Sequence, residues 1–211
     1  MTDLNEYVTF FSRDDRNSPD MCTNISLRIK DWDPILKERS EADTIFLDFV
    51  FTHLLVRLPQ PVFRKYSYFQ SARIAELHHT LGKTGLTWAA VAAIFSNLIS
   101  WEWLVSDTLV CPYADRGHWS LLIIERTKTL WFDSYGKFHE GQRFNDFVLL
   151  MHFAYAIVGK LKMGSREWKA LLARKAIHMK AIDQIETWEC GYVMALNFWH
   201  YISHRGYKTG L

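Results

Sequence analysis

A ten-residue segment near the end of the sequence, Asp183-Gln184-Ile185-Glu186-Thr187-Trp188-Glu189-Cys190-Gly191-Tyr192, joins a predicted strand to a predicted helix. It follows an alternating run at 176–182 that predicts a strand, and it leads into an apolar run at 191–201 that predicts a buried helix. Cys190 therefore stands at a helix start, where unpaired N–H groups and the helix dipole favour a thiolate. Because the thiolate is the nucleophilic form of cysteine, Cys190 is a candidate nucleophile, provided that the chain also supplies a base, an orienting acid and an oxyanion donor.

A predicted β-hairpin upstream supplies the base and the acid. Residues 118–124 form an apolar run typical of a buried strand, and 130–132 form a second strand after a polar turn. His118 begins the first strand and Asp133 follows the second. We expect the imidazole and the carboxylate to touch, because these two ends of a short hairpin lie side by side.

Four residues then fill the roles of a thiol-dependent acyl transfer. Cys190 attacks a carbonyl carbon, and His118 takes the thiol proton and later protonates the leaving amine. Asp133 fixes the imidazole tautomer and stabilises the imidazolium. The side chain of Gln184 and the backbone N–H of Cys190 hold the oxyanion.

Composition is that of a globular domain. The 211 residues are 49% apolar and 23% charged, and the net charge of +2 gives no reason to expect nucleic acid. We expect a polar N-terminal arm at 1–24 and one catalytic domain at 25–211. The uncharged run at 84–101 is interpreted as a buried helix rather than a membrane span, so no membrane association is expected.

Other segments give secondary-structure predictions. Helices are expected at 44–58, 63–81, 86–99 and 144–158, and a strand at 108–111 that Pro112 closes. Residues 160–180 carry seven basic side chains and one acid, which indicates either a solvated face or a docking surface for an acidic partner. Cysteines occur only at positions 22, 111 and 190, and they form neither a disulfide nor a metal pattern. A reducing compartment is therefore expected, with a secreted effector or virion protein as the alternative.

The site residues also carry a family resemblance. The chain resembles the ubiquitin-like-protein-specific cysteine proteases, meaning the SUMO proteases and their relatives in the adenain clan, over roughly residues 25–203. That family has His-Trp-x-Leu, then Asp-Ser, then Gln, and Asp-Cys-Gly with its cysteine six residues after the Gln. The matching residues here are His118-Trp119-Ser120-Leu121, Asp133-Ser134, Gln184 and Glu189-Cys190-Gly191.

The resemblance implies a modifier channel and also marks where this chain departs from it. In the family, two tryptophans line the narrow channel that takes the Gly-Gly tail of the modifier. One of them is retained here as Trp119, but Ser40 stands at the position of the other. The loop at 185–188 lacks the family's Asn-Gly-Ser character, and Glu189 replaces Asp. Trp119, Trp188 and Gly191 are therefore the candidate substrate-binding residues, and Trp188, Trp101 or Trp103 is a candidate replacement for the missing cover.

These observations predict an α+β, papain-like or adenain-like domain, with a central mixed sheet flanked by helices and the catalytic cysteine at a helix N-terminus. The expected function is that of a cysteine peptidase or isopeptidase that processes or removes a ubiquitin-like modifier, without a metal or cofactor. The expected protein is a monomer in the cytoplasm or nucleus, delivered into a host cell if it is a pathogen effector. Alternatives are a viral-type processing protease, a cysteine-dependent acetyltransferase, for which no coenzyme A site is identified, and an inactive binding module.

Overall fold

A computed structural model describes the chain at residues 7–9, 26–28, 42, 44–56, 58, 65–69, 107–136, 141–158 and 161–203. The strands are β1 (Tyr7–Thr9), β2 (Ser26–Arg28), β3 (Tyr66–Tyr68), β4 (Thr108–Asp115), β5 (His118–Glu125), β6 (Thr129–Phe132) and β7 (Ile177–Met179). The helices are α1 (Thr44–Val56), α2 (Gln142–Val158), α3 (Arg166–Leu172) and α4 (Cys190–Ser203), with a 3₁₀ turn at Thr187–Glu189. The predicted α+β class is confirmed.

Five strands form one mixed sheet in the order β3-β4-β5-β6-β7. The pairs β4–β5 and β5–β6 are antiparallel, whereas β3–β4 and β6–β7 are parallel. Alternate residues of the central strand β5 face opposite sides: Leu121 and Ile123 pack with α1 and α4, and Leu122 and Ile124 pack with α2 and α3. Helices cover both faces, and for this reason the strand is a continuous apolar run in the sequence.

A tight turn between β4 and β5 places the first residue of β5. Arg116 and Gly117 both have positive φ, 53° and 74°, as in the two-residue turns whose twist suits a hairpin. Asp115 is therefore paired directly with His118. This hairpin was not predicted, although the Arg116-Gly117 turn explains why the strand begins at His118.

The helix predicted at 63–81 is wrong at residues 66–68, which form strand β3 beside β4. Tyr66 and Tyr68 are buried in the core that α1 and α4 share. All three residues of β3 are buried and the strand depends on pairing with β4, so the aromatic residues alone do not distinguish it from a helix. The remainder of that prediction, and the helix predicted at 86–99, lie outside the described residues.

The prediction that Pro112 closes a strand is also wrong, because β4 runs on to Asp115. The carbonyl of Val110 accepts from the backbone N–H of Phe69, so the polar groups of Val110 face β3. Two residues later, the nitrogen of Pro112 points the same way and away from β5. A missing N–H at that position leaves the β4–β5 ladder intact.

The remaining elements refine the sequence predictions. β1, inside the predicted arm, pairs with β2, and β7 is shorter than the strand predicted at 176–182. The unpredicted helix α3 begins after Ser165, whose hydroxyl accepts from the N–H of Trp168 as an N-cap. The helices predicted at 44–58 and 144–158 are present as α1 and α2. Within the described part of the chain, none of the helices has the length and apolarity needed to span a bilayer.

Candidate active site

His118 and Asp133 meet at one end of the sheet. His118 follows the β4–β5 turn, and Asp133 comes directly after β6, the neighbouring strand. Their side chains form a buried hydrogen bond of 2.8 Å between Nε2 and Oδ1. The same carboxylate oxygen accepts from the backbone N–H of Tyr135 at 3.0 Å. The carboxylate is therefore held by two donors and the imidazole orientation is fixed.

Cys190 is the first residue of α4 and is buried against His118. Both Asp133 and Cys190 lie close enough to the imidazole to raise the pKa of His118. Because Nε2 is bonded to Asp133, Nδ1 is the nitrogen that remains for the thiol. A carboxylate that accepts from Nε2–H selects the tautomer whose Nδ1 lone pair acts as a base toward Sγ.

The imidazolium is the favoured form of His118. Burial opposes the charge, but the hydrogen bonds to Asp133 and Cys190, together with the negative charges of the same two groups, raise the pKa of His118 from 6.5 to about 9. A charged His118 at neutral pH therefore stands beside Cys190, the first residue of α4.

Gln184 is tied to the segment that follows Asp133. The Ser134 hydroxyl donates to Oε1 of Gln184 at 2.7 Å, and the backbone N–H of Gln184 donates to the Ser134 carbonyl at 3.3 Å. The Gln184 amide also donates to the Glu186 carbonyl at 3.3 Å. An amide NH₂ has two hydrogens, so one is left for a ligand. No role for Ser134 is predicted from the sequence, although it stands directly after the candidate acid.

The loop that carries Cys190 is closed by Glu189. One carboxylate oxygen of Glu189 accepts from the backbone N–H groups of Ile185 at 2.8 Å and Glu186 at 3.0 Å. The backbone N–H of Glu189 returns a bond to the Glu186 carbonyl at 3.2 Å. Glu189 departs from the aspartate of the family pattern, and a carboxylate three residues after a turn start is a capping signal.

Trp119 and Gly191 are linked through Ala42, which lies just before α1. The indole N–H of half-buried Trp119 donates to the Ala42 carbonyl at 3.2 Å. A Cβ built on the buried Gly191 would lie 2.6 Å from the Ala42 Cβ and 3.4 Å from Leu47. Close packing of α4 on this segment therefore accounts for the glycine, whereas substrate binding by Gly191 stays a prediction.

Trp188 lies in the 3₁₀ turn directly before Cys190 and is half-buried. Its ring packs edge-on against Tyr192 at 5.8 Å, and Tyr192 in turn contacts Phe46 of α1 at 5.4 Å. The indole is therefore held against Tyr192 of α4, and a role for Trp188 as a channel cover stays a prediction. Ser40, Trp101 and Trp103 lie outside the described residues.

In the described part of the chain, no group of three or more His, Cys, Asp or Glu side chains is placed to hold a metal ion. The two described cysteines, Cys111 and Cys190, carry free thiols. Burial raises the pKa of the Cys111 thiol well above its ordinary value, so Cys111 is a poor nucleophile.

Comparisons with known proteins give a likeness in fold. No protein-family model and no curated sequence matches the chain. Among solved structures, a de-sumoylating protease has a TM-score of 0.69 at 13% identity, with 95% of this chain and 74% of that chain covered. The C-terminal Ulp1 protease domain in complex with Smt3, the yeast ortholog of SUMO, has a TM-score of 0.58 at 15% identity, with 98% and 80% covered. The Ulp1-like SUMO protease catalytic domain of Chaetomium thermophilum has a TM-score of 0.56 at 17% identity, with 82% and 66% covered. The chain therefore has the fold of SUMO protease catalytic domains, as the sequence predicted.

Proposed function

We propose that this protein is a cysteine peptidase that cleaves the peptide or isopeptide bond at the C-terminal tail of a ubiquitin-like modifier. The observation that carries the proposal is the buried group Asp133, His118 and Cys190, with a 2.8 Å bond between His118 and Asp133 and the thiol close enough to the same ring to raise its pKa. It stands at the start of a helix in a domain with the fold of SUMO proteases.

The reaction proceeds through a thioester. The thiolate of Cys190 attacks the carbonyl carbon of the scissile bond, and the oxygen becomes an oxyanion held by Gln184 and the backbone N–H of Cys190. When the tetrahedral intermediate collapses, the C–N bond breaks and His118 gives its proton to the leaving amine. Neutral His118 then takes a proton from water as the water attacks the thioester, and the carboxylic acid leaves as the thiolate reforms.

The proposed substrate is a modifier with a slender, glycine-ended tail. Trp119 supports this assignment, because it follows His118 and is fixed by its bond to Ala42. Trp188, packed on Tyr192 beside the nucleophile, is the proposed cover in place of the tryptophan missing at Ser40. A channel lined by these two indoles would admit only a narrow extended chain.

Electrophilic C-terminal derivatives of SUMO, ubiquitin and NEDD8 test the proposal. We expect one of them to form a covalent adduct with the wild-type protein at Cys190, and none with the Cys190→Ala variant. Cys111, a buried thiol with a raised pKa, is an internal control that should remain unmodified in peptide mass mapping. Peptide cleavage without any adduct would replace the proposal with a processing protease, and consumption of acetyl-coenzyme A would replace it with an acetyltransferase. An intact fold with none of these activities would leave a binding module.

We also propose that the protein acts as a monomer inside a cell, in the cytoplasm or nucleus, after delivery if a pathogen makes it. All four candidate catalytic residues come from one chain, and a thiol nucleophile is maintained in a reducing compartment. Light scattering of the purified protein and fractionation of cells that express a tagged chain test these two points. An obligate dimer or an exclusively secreted protein would contradict them.

A further inference from the structure

Two large apolar side chains are exposed beside the candidate site. Tyr135 has 59% of its surface exposed, and Ile185 has 90%. Tyr135 follows Asp133 by two residues, and Ile185 follows Gln184 by one. Exposed apolar side chains are ordinary when scattered, but two of the five large ones in the described residues stand next to catalytic candidates.

Hydrogen bonds join and fix the two loops that carry these side chains. Ser134 and Gln184 exchange a 2.7 Å side-chain bond and a 3.3 Å backbone bond, so the residues next to them lie on adjoining loops. The backbone N–H of Tyr135 is bound by Asp133, and that of Ile185 is bound by Glu189. A ligand that contacts these side chains therefore pays little for ordering the loops.

The location of Tyr135 identifies which part of a substrate it meets. Its ring centre lies 6.1 Å from that of His118. In the proposed reaction His118 protonates the leaving amine, so the residue that carries this amine is bound beside His118. Tyr135 thus faces the leaving group rather than the tail whose carbonyl is attacked.

We propose that Tyr135 and Ile185 form a contact surface for the leaving-group segment, which selects a linear peptide with a large apolar side chain directly after the scissile bond. This inference rests on the proposed function and adds the specificity on the leaving side. A lysine side chain as the leaving amine places only a narrow methylene stem on the same surface, so peptide bonds to apolar residues are the preferred substrates.

Fusions of SUMO, ubiquitin and NEDD8 to a short peptide that begins with Leu or with Ser test the preference. For the modifier that is cleaved, we expect kcat/KM to be on the order of 10-fold to 100-fold higher for Leu, the range that an apolar contact gives in enzyme specificity. Tyr135→Ser and Ile185→Ser should each lower the Leu-to-Ser ratio at least threefold, and the double variant should bring it close to one. Met163→Ser removes another exposed apolar side chain, 63% exposed and outside the site, and should leave the ratio unchanged.

A binding measurement separates this inference from the proposed function. Hexapeptides that begin with Leu or Ser are titrated into isotope-labelled Cys190→Ala protein and followed by NMR. The Leu peptide should bind more tightly and shift the signals of Tyr135 and Ile185, even if no modifier fusion is cleaved. Equal Leu and Ser affinities, or a Leu-to-Ser ratio that survives both substitutions, would overturn the inference. Adduct formation with the electrophilic modifiers would still support the proposed function in that case.

Discussion

At the scale of single residues, the chemistry depends on which ring nitrogen of His118 meets which partner. Asp133 binds Nε2, so Nδ1 is the nitrogen left to take the proton of the Cys190 thiol. The Asp133 carboxylate is itself fixed by the backbone N–H of Tyr135. His118 and Asp133 were predicted from the ends of a hairpin, and the structure brings them together. The sequence could not indicate the nitrogen, because that depends on how the ring turns in the fold.

Asp133→Asn should lower kcat/KM at least tenfold and move its alkaline limb to lower pH, because the amide withdraws the charge that raises the pKa of His118. In the wild type, activity should fall as the pH rises through about 9, the pKa of His118, because neutral imidazole cannot protonate the leaving amine. The folded pKa lies above the ordinary value of 6.5, so this pair stabilises the fold fully below pH 6.5 and loses its contribution as pH rises through about 9. Initial rates of the wild type and of Asp133→Asn from pH 6 to 10 check the two activity predictions. An alkaline limb at the same pH in both proteins would contradict them.

Gln184→Ala should lower kcat on the order of 10²-fold, the typical loss of one oxyanion donor, with little change in KM. Ser134→Ala removes the bond that orients the Gln184 amide and leaves the donor in place, so its loss of kcat should be smaller. Steady-state kinetics on a cleaved fusion measure both effects. A wild-type kcat for Gln184→Ala would remove this residue from the oxyanion site.

At the scale of elements, the loop before α4 determines how Cys190 and Gln184 are presented. Its capping by Glu189 depends on a side chain that folds back on its own turn. Ile182 ties the preceding segment to α4 through the Asn197 side chain at 2.8 Å. The Asn197 bond could not be predicted from the sequence, because it depends on how α4 packs against the segment before it, whereas the Glu189 cap has a local sequence signal.

Glu189→Ala should leave two backbone N–H groups without their acceptor and loosen the turn, so kcat should fall roughly tenfold, while the melting temperature drops by only a few degrees. Glu189→Gln keeps one acceptor oxygen and should recover most of the rate, which distinguishes positioning from charge. Kinetics and thermal unfolding of the two variants measure this. Equal kcat in wild type and Glu189→Ala would show that the cap does not position the site.

Gly191→Ala should destabilise the fold by about 1–3 kcal/mol, as overpacking does, since the added methyl meets Ala42 at 2.6 Å. Ala42→Gly in the same chain removes the opposing methyl and should restore most of the loss. Urea unfolding of the single and double variants gives the free energies. Simple addition of the two single effects, without rescue, would contradict the close contact.

Secondary structure was predictable where pattern and packing agree. The apolar run of β5 and the helices α1 and α2 follow from periodicity, because each buries a continuous apolar surface. The strand at 66–68 was missed because three residues are too few to reveal a period, and its identity depends on pairing with distant Thr108. Helix α3 was not predicted because the 160–180 segment was interpreted only by its basic charge, although Ser165 is an N-cap residue type.

At the scale of the whole molecule, α4 lies along β5 and connects two ends of the domain. Cys190 meets His118 at one end, and at the other the Tyr201 hydroxyl donates to Glu125 at 2.8 Å. The exposed basic residues of the 160–180 segment include Arg166 and Lys169 on α3, which packs with α2 on the opposite face of the sheet from α4. A docking role for that face stays a prediction, separate from the chemistry at Cys190.

The central claim is that Cys190, activated by His118, attacks the tail of a ubiquitin-like modifier. Electrophilic modifier derivatives test it most directly, with intact-mass and peptide mapping of wild type, Cys190→Ala and His118→Ala. We expect one adduct, at Cys190 of the wild type, that forms much more slowly in His118→Ala and does not form in Cys190→Ala. Failure of all three modifiers to label a folded wild-type protein, or labelling that survives in Cys190→Ala, would contradict it.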